Sequence, residues 1–341
     1  MCDWAAGLRP SRVILLIRLV DHFALSIIAE PPFLIVATGL AALVGFSNQR
    51  GGTCTVSAVE DLIRRRRPGR LLALAEASIW AFALAIILEA IGFLTRTTYT
   101  YPIGLSCISG GVLLGFGAWL NRACLFGTLA RIGNNDLHYM LTLLGLLAGF
   151  WVHAWLFEPV ELAKRIHQPD LTTQFSFALL CAGGLLVRAS RTLERVRSFS
   201  GNVLRWDPHT ATVVQALAFV SLACIAGVWT YSDTLRRLVH QQTGSDILQL
   251  LLFGATLAGA CAGGWYRAKR APLSYRKALT CLVGGVLMAL GTSQAFGGND
   301  LLLLTGLPLL QGHAIVTLAV MVTTISMCLF VTVGLDNFAA S

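Results

Sequence analysis

Two short glycine-flanked turns in this chain each carry a cysteine. The first reads Gln49-Arg50-Gly51-Gly52-Thr53-Cys54, the second Asn121-Arg122-Ala123-Cys124-Leu125-Phe126-Gly127. Each follows an apolar, Gly-rich segment and opens a stretch of good helix formers, with Thr53 and Asn121 standing where an N-cap is expected. A helix that starts inside a protein offers unpaired amide N–H groups and the positive end of a dipole, an arrangement that suits an anion. A cysteine at that point adds a soft, polarisable sulfur. Together the two turns suggest a path for a small sulfur-containing anion.

The elements that must position these turns are membrane helices. The chain is 55% hydrophobic and 13% charged, with a mean hydropathy of +0.69, against about 25% charged residues in a soluble domain. Its apolar runs are helix-length rather than ten-residue alternating strands, so the expectation is an all-α integral membrane protein in a lipid bilayer, not an outer-membrane barrel. Nine spans are expected: 33–47, 71–94, 103–120, 138–157, 171–187, 210–230, 247–266, 278–296 and 313–333. Short helices are expected at 53–63 after the first turn and at 301–310 after Gly297-Gly298-Asn299-Asp300. Residues 1–30 carry Arg18, Asp21 and His22 inside their apolar stretch, with no convincing cleavage site. They are read as an interfacial segment. Residues 31–341 are read as one transport domain, with halves at about 33–157 and 210–333 linked by a helix and basic loop over 171–209.

The net charge of +9 comes almost wholly from arginine; all but three of the 26 basic residues are Arg. They fall in short loops, as membrane orientation requires, so a nucleic-acid partner is not expected. One side of the membrane receives 17 Lys and Arg residues, including Arg64–Arg70, and the other receives eight. The richer side, with the C-terminus, is assigned to the cytoplasm. Six of the nine cysteines lie within apolar stretches as small hydrophobes. There is no CxxC and no zinc-ligand spacing, so neither a disulfide framework, a metal nor a cofactor is expected.

The run Gly110-Gly111-Val112-Leu113-Leu114-Gly115-Phe116-Gly117 recurs as Gly284-Gly285-Val286-Leu287-Met288-Ala289-Leu290-Gly291. Fourteen residues on from each first glycine stand Cys124 and Gly298, both in a turn. Five spans separate the start of the first span from the start of the sixth, and an odd number inverts the second half relative to the first. Inverted repeats with glycine-broken helices and a midplane site are a recurring transporter design.

Three stretches together, Gly45-Phe46 to Cys54, Asn121–Gly127 with Arg131-Ile132-Gly133, and Gly284–Met288 with Asn299-Asp300, resemble the YeeE/YedE sulfur-transport family. The resemblance implies a bacterial inner-membrane protein that imports thiosulfate past cysteines in central loops, with short helices pointing their N-termini at the pathway. It makes Cys54 and Cys124 pathway cysteines; where relatives often have a third, this chain has Gly298. The candidate substrate-binding residues are thus Gly52, Thr53, Cys54, Asn121, Ala123, Cys124, Gly298 and Asn299.

Amides would hold the anionic oxygens of thiosulfate while thiols meet its terminal sulfur, by S–H hydrogen bonds or a transient disulfide. Conduction needs weak successive sites, so Arg50 and Arg122 are placed at the mouths rather than on the ion. Among the acids, Glu76 and Glu89 lie within the second span and are candidates for proton coupling, while Asp300 reads as a local cap. Moving a dianion into a negative cytoplasm costs about 4.6 kcal/mol per 100 mV, more than a thousandfold in concentration, so uptake needs rapid consumption or a coupling ion. No GxxxxGK[ST] run supplies ATP drive. A different class of function is a membrane sulfurtransferase, with Cys124 passing a persulfide to a cytoplasmic TusA-like sulfur carrier protein. No soluble catalytic domain or general base beside either cysteine favours it, and the chain is not expected to be an enzyme.

Overall fold

The computed structural model describes residues 31–94, 99–157, 206–239, 246–265, 272 and 274–339, with scattered positions between 164 and 190. The expected interfacial segment 1–30 lies outside the described residues, as do about half of the span at 171–187 and most of the basic loop that follows it.

Twelve helical elements have defined bounds among the described residues. They are α1 (Pro31–Gly51), α2 (Thr55–Arg65), α3 (Gly69–Ala90), α4 (Leu105–Asn121), α5 (Leu125–Gly133) and α6 (His138–Leu156), then α7 (Pro208–Ala226), α8 (Tyr231–Val239), α9 (Asp246–Gly264) and α10 (Tyr275–Gln294). The last two are α11 (Asn299–Leu301), which runs on as a π-helical turn over Leu302–Gly306, and α12 (Gly312–Ala339). One two-residue antiparallel pair, β1 (Tyr99–Thr100) with β2 (Lys164–Arg165), is the only extended structure among the described residues. Among the described residues, seven stretches are long and apolar enough to cross a membrane, eight if α10 and the 55° bend into α11 count as one. The protein is therefore an all-α, multi-pass membrane protein. Eight of the nine expected spans coincide with these helices.

Small residues set the packing. Helices α4 and α10 run antiparallel so closely that a Cβ on Gly117 would stand 2.9 Å from the Gly284 carbonyl, and one on Gly110 would stand 3.0 Å from that of Gly291. Outside this pair, α6 lies on α10 and α12 on α4. With lipid on one side and no hydrophobic drive between helices, close backbone approach at small residues is what holds such a bundle together.

Two expected boundaries moved. Helix α1 continues to Gly51, carrying Asn48 and Gln49 into the buried interior, where Asn48 Nδ2 donates to the Phe126 carbonyl at 2.8 Å. The sixth span was expected to reach Thr230, yet α7 ends at Ala226 because Gly227 takes φ +76°, and a new helix begins at Tyr231. This helix, α8, is a fourth short helix starting inside the bundle.

On the flank that carries Arg131, the turn before α6 is tied by an acid. Asp136 accepts from Lys277 and from His138 Nδ1 (2.9 Å), while His138 Nε2 accepts the Ser274 amide at 2.9 Å. Burial pushes the Asp136 carboxyl up, but the Lys277 ammonium and His138 outweigh it and hold it below the ordinary carboxylate value. A depressed acid contributes stability that is full above its unfolded value, near 3.9, and is lost as pH falls through its lower folded value. Thermal melts of purified protein should therefore show wild type above Asp136→Asn at pH 7. The gap should shrink once the pH drops below about 4.

Candidate functional site

The two cysteine turns meet. Cys54 and Cys124 are themselves the N-cap residues of α2 and α5, both extended (φ −155° and −77°). Thr53 and Asn121, expected as the caps, stand before them. The reason lies in where each sulfur points. Each sulfur faces an amide in the first turn of its own helix, Ser57 for Cys54 and Gly127 for Cys124, and reaches the other helix as well. The Thr55 amide, first in α2, donates to Cys124 Sγ at 3.2 Å. Conversely, Cys54 Sγ rests on the first turn of α5, so close to Gly127 that a Cβ there would lie 2.5 Å away. Each sulfur thus sits at the amino end of the other's helix, and the two thiols are near enough to share a hydrogen bond. Both residues are buried, Cys124 completely.

Asn299 ties a third helix start to the pair. Its Oδ1 accepts the Leu125 amide at 3.3 Å, and its Nδ2 donates to Thr55 Oγ1 at 3.4 Å. The first turns of α2, α5 and α11 therefore converge on one buried spot. The fourth short helix joins them: Tyr231, at the start of α8, donates its hydroxyl to the Leu125 carbonyl at 2.8 Å. Four interior helix starts around two sulfurs make an electropositive, polarisable centre.

The other candidates surround this centre in distinct ways. Gly52 occupies the left-handed region (φ +60°), which lets the chain turn sharply out of α1 toward Cys54. Thr53 Oγ1 is buried with no hydrogen-bond partner among the described residues, beside a cavity of about 10 Å³ that is also lined by Cys54, Arg70 and Thr212. Asn121 has its amide fully engaged, donating to the Ala123 carbonyl (2.8 Å) and Thr128 Oγ1 (3.1 Å) and accepting from Thr142 Oγ1 (2.8 Å). It therefore shapes the turn from outside. Ala123 is fully buried beside Gly127. Gly298 caps α11, where a Cβ would meet Leu125 Cδ1 at 2.3 Å and Asp300 Oδ1 at 2.4 Å. A cysteine at that position would need both side chains displaced, so two sulfurs, not three, occupy this centre.

A family model described as sulphur transport matches residues 50–327, most of the chain. The chain belongs to the sulphur transport family. That span runs from the first cysteine turn through α11 into α12, and so contains all four helix starts. No curated protein matches the chain.

Four residues outside the candidate set also take part in this sulphur transport protein: Thr55, Gly127, Tyr231, and Ser232, whose hydroxyl donates to Asp300 Oδ2 at 2.8 Å. The first two sit one and three residues past the cysteines, where a helix-start argument could have placed them. The others lie in an apolar break, Val228-Trp229-Thr230-Tyr231, with no cysteine to mark it. Glu76 is not part of this centre; it lies 2.5 Å from His209 Nδ1 between α3 and α7.

Proposed function

We propose that this protein imports thiosulfate, or a related small sulfur-containing anion, through the centre formed by Cys54 and Cys124. The observation that carries this reading is the crossed arrangement of the two cysteines, each sulfur on the amino end of the other's helix. The charged oxygens of the ion would take the amides of the short helix starts, and its terminal sulfur would pass between the thiols. Neither step requires a tightly held ion, which conduction would not tolerate. Arg70 marks the side of the centre that leads toward the arginine-rich flank, taken as the cytoplasmic side of a bacterial inner membrane with the C-terminus within.

The architecture behind this reading is an inverted repeat of residues 33–157 and 210–333. Gly110 and Gly284 are 174 positions apart. The same step carries Gly117 to Gly291, so the contact of Gly110 with Gly291 becomes that of Gly284 with Gly117. It also carries Cys124 to Gly298, the start of α6 to that of α12, and the left-handed Arg122 (φ 55°) to the left-handed Phe296 (φ 59°). Helices α2 and α8 correspond in the same order. Two inverted halves supply two half-helix starts each, meeting at their interface.

Counterflow of sulfur-labelled thiosulfate in vesicles of purified protein tests the proposal. Exchange should saturate, and excess unlabelled thiosulfate should compete better than sulfate or sulfite, which lack the soft terminal sulfur. No exchange, with label instead trapped covalently on Cys124, would turn the reading to sulfur transfer toward a soluble acceptor.

A further inference from the structure

Asp300 is 2% exposed in the middle of the bundle, and no basic side chain pairs with it among the described residues. Its Oδ1 accepts the Leu301 amide at 3.0 Å. Ser232 Oγ lies 2.8 Å from Oδ2 and 3.0 Å from Oδ1. A serine hydroxyl has one proton, which an ionised carboxylate shares between its two oxygens; when the carboxyl carries a proton of its own it can give that proton to Ser232 Oγ, and the two contacts become two separate hydrogen bonds. Thr230 Oγ1, 3.1 Å from Ser232 Oγ, extends the chain of hydroxyls.

Beside this acid is a cavity of about 30 Å³, lined by Asp300, Thr230, Tyr231, Asn48 and Gln215 within an otherwise apolar wall. A water needs roughly 10–15 Å³ and two or more polar partners. Among the described residues, Gln215, 2% exposed, has neither amide atom bonded, and Asn48 Oδ1, on a residue 1% exposed, is unbonded as well. Buried amide groups left without partners around a water-sized space point to a hydrated site.

The acid also adjoins the anion centre, since the preceding residue, Asn299, touches the first turns of α2 and α5. Ionised, Asp300 would repel a dianion there; protonated, it would not. The other groups facing it do not replace the proton. Asp233 on α8 is spent on Arg236 and Arg237 (2.6 and 2.7 Å). Tyr231 is bonded to Leu125, and α5 and α2 bring the thiols Cys124 and Cys54. Helices α1 and α7 bring only the neutral Asn48 and Gln215, α3 the neutral Ser78, and His313 on α12 packs on Tyr101 and Phe296.

We propose that Asp300 is the site of a co-transported proton, bound while the anion occupies the cysteine centre and released through the hydrated cavity once it has left. This rests on the transport reading above. One proton per dianion reduces the translocated charge from −2 to −1, and with it the opposing factor from more than a thousandfold to roughly fiftyfold per 100 mV.

Vesicles of the full chain loaded at alkaline pH and diluted into buffer one unit more acidic give the test, with sulfur-labelled thiosulfate as probe. One coupled proton drives about tenfold more accumulation with the gradient than without it. That ratio should fall to about one in Asp300→Asn and return in Asp300→Glu. A wild-type ratio of one alongside working counterflow overturns the proton site and leaves transport standing, whereas absent counterflow removes the transport reading first. A tenfold ratio surviving in Asp300→Asn, or accumulation driven by a sodium gradient instead, also overturns it. A pH dye sealed in wild-type vesicles needs no variant: thiosulfate influx must acidify the lumen, and influx without acidification refutes the proposal.

Discussion

Cys124→Ala should lower labelled-thiosulfate uptake by roughly 100-fold, equivalent to about 2.7 kcal/mol on the transport barrier. The substitution removes one of the two sulfurs the ion would pass between and strips the Thr55 amide of its acceptor, 3.2 Å away. A buried amide left unpaired costs about 1–3 kcal/mol, so the variant should also melt a few degrees lower. Cys124→Ser separates the two effects. Its hydroxyl can still accept from Thr55, which should restore the melting temperature, but a hard oxygen does not replace a polarisable sulfur, so uptake should stay low. Cys224→Ala and Cys328→Ala, at half-buried positions on α7 and α12, should transport as wild type does. Uptake by Cys124→Ala at the wild-type rate would show that the ion goes elsewhere.

Why the cysteines could be picked out from sequence, and their partners could not, follows from what a sequence displays. Apolar runs of seventeen residues and more announce their helices, because lipid demands both length and internal backbone pairing; α3, α6 and α9 fall within a few residues of expectation. Glycines and a polar residue before a helix-forming stretch announce the two turns. The same reasoning misplaced the caps, since Thr53 and Asn121 are the better cap formers, while the fold uses the cysteines there and directs their sulfurs across to the opposite helix. The break after α7 carries one glycine, Gly227, inside apolar neighbours, so the run read as continuous. Asp300 shows the limit most plainly. Its bond to the next amide, Leu301, is the local cap visible in sequence. Its bond to Ser232, 68 positions earlier, depends on two helix starts meeting, and no local pattern encodes that.

Asn299→Asp should be nearly as damaging as loss of Cys124, for a different reason. The carboxylate is close to isosteric with the amide: one oxygen can still accept from Leu125, and Thr55 Oγ1 can turn its hydroxyl to donate to the other. The melting temperature should therefore change little. What changes is charge. At an effective dielectric near 20, a unit charge about 5 Å from a dianion opposes it by roughly 6–7 kcal/mol, which reorganisation and water would reduce without abolishing. Uptake at neutral pH should drop at least 100-fold, more than in Asn299→Ala, which removes the same contacts without adding charge. Lowering the pH should raise the ratio of variant to wild-type uptake, because the protonated side chain is a neutral near-copy of asparagine. Charge sensitivity at position 299 is the same physics that makes its neighbour Asp300 compatible with a bound anion only when protonated. If Asn299→Asp transports as well as wild type at pH 7, the anion does not approach the start of α11, and the convergence of helix starts serves packing alone.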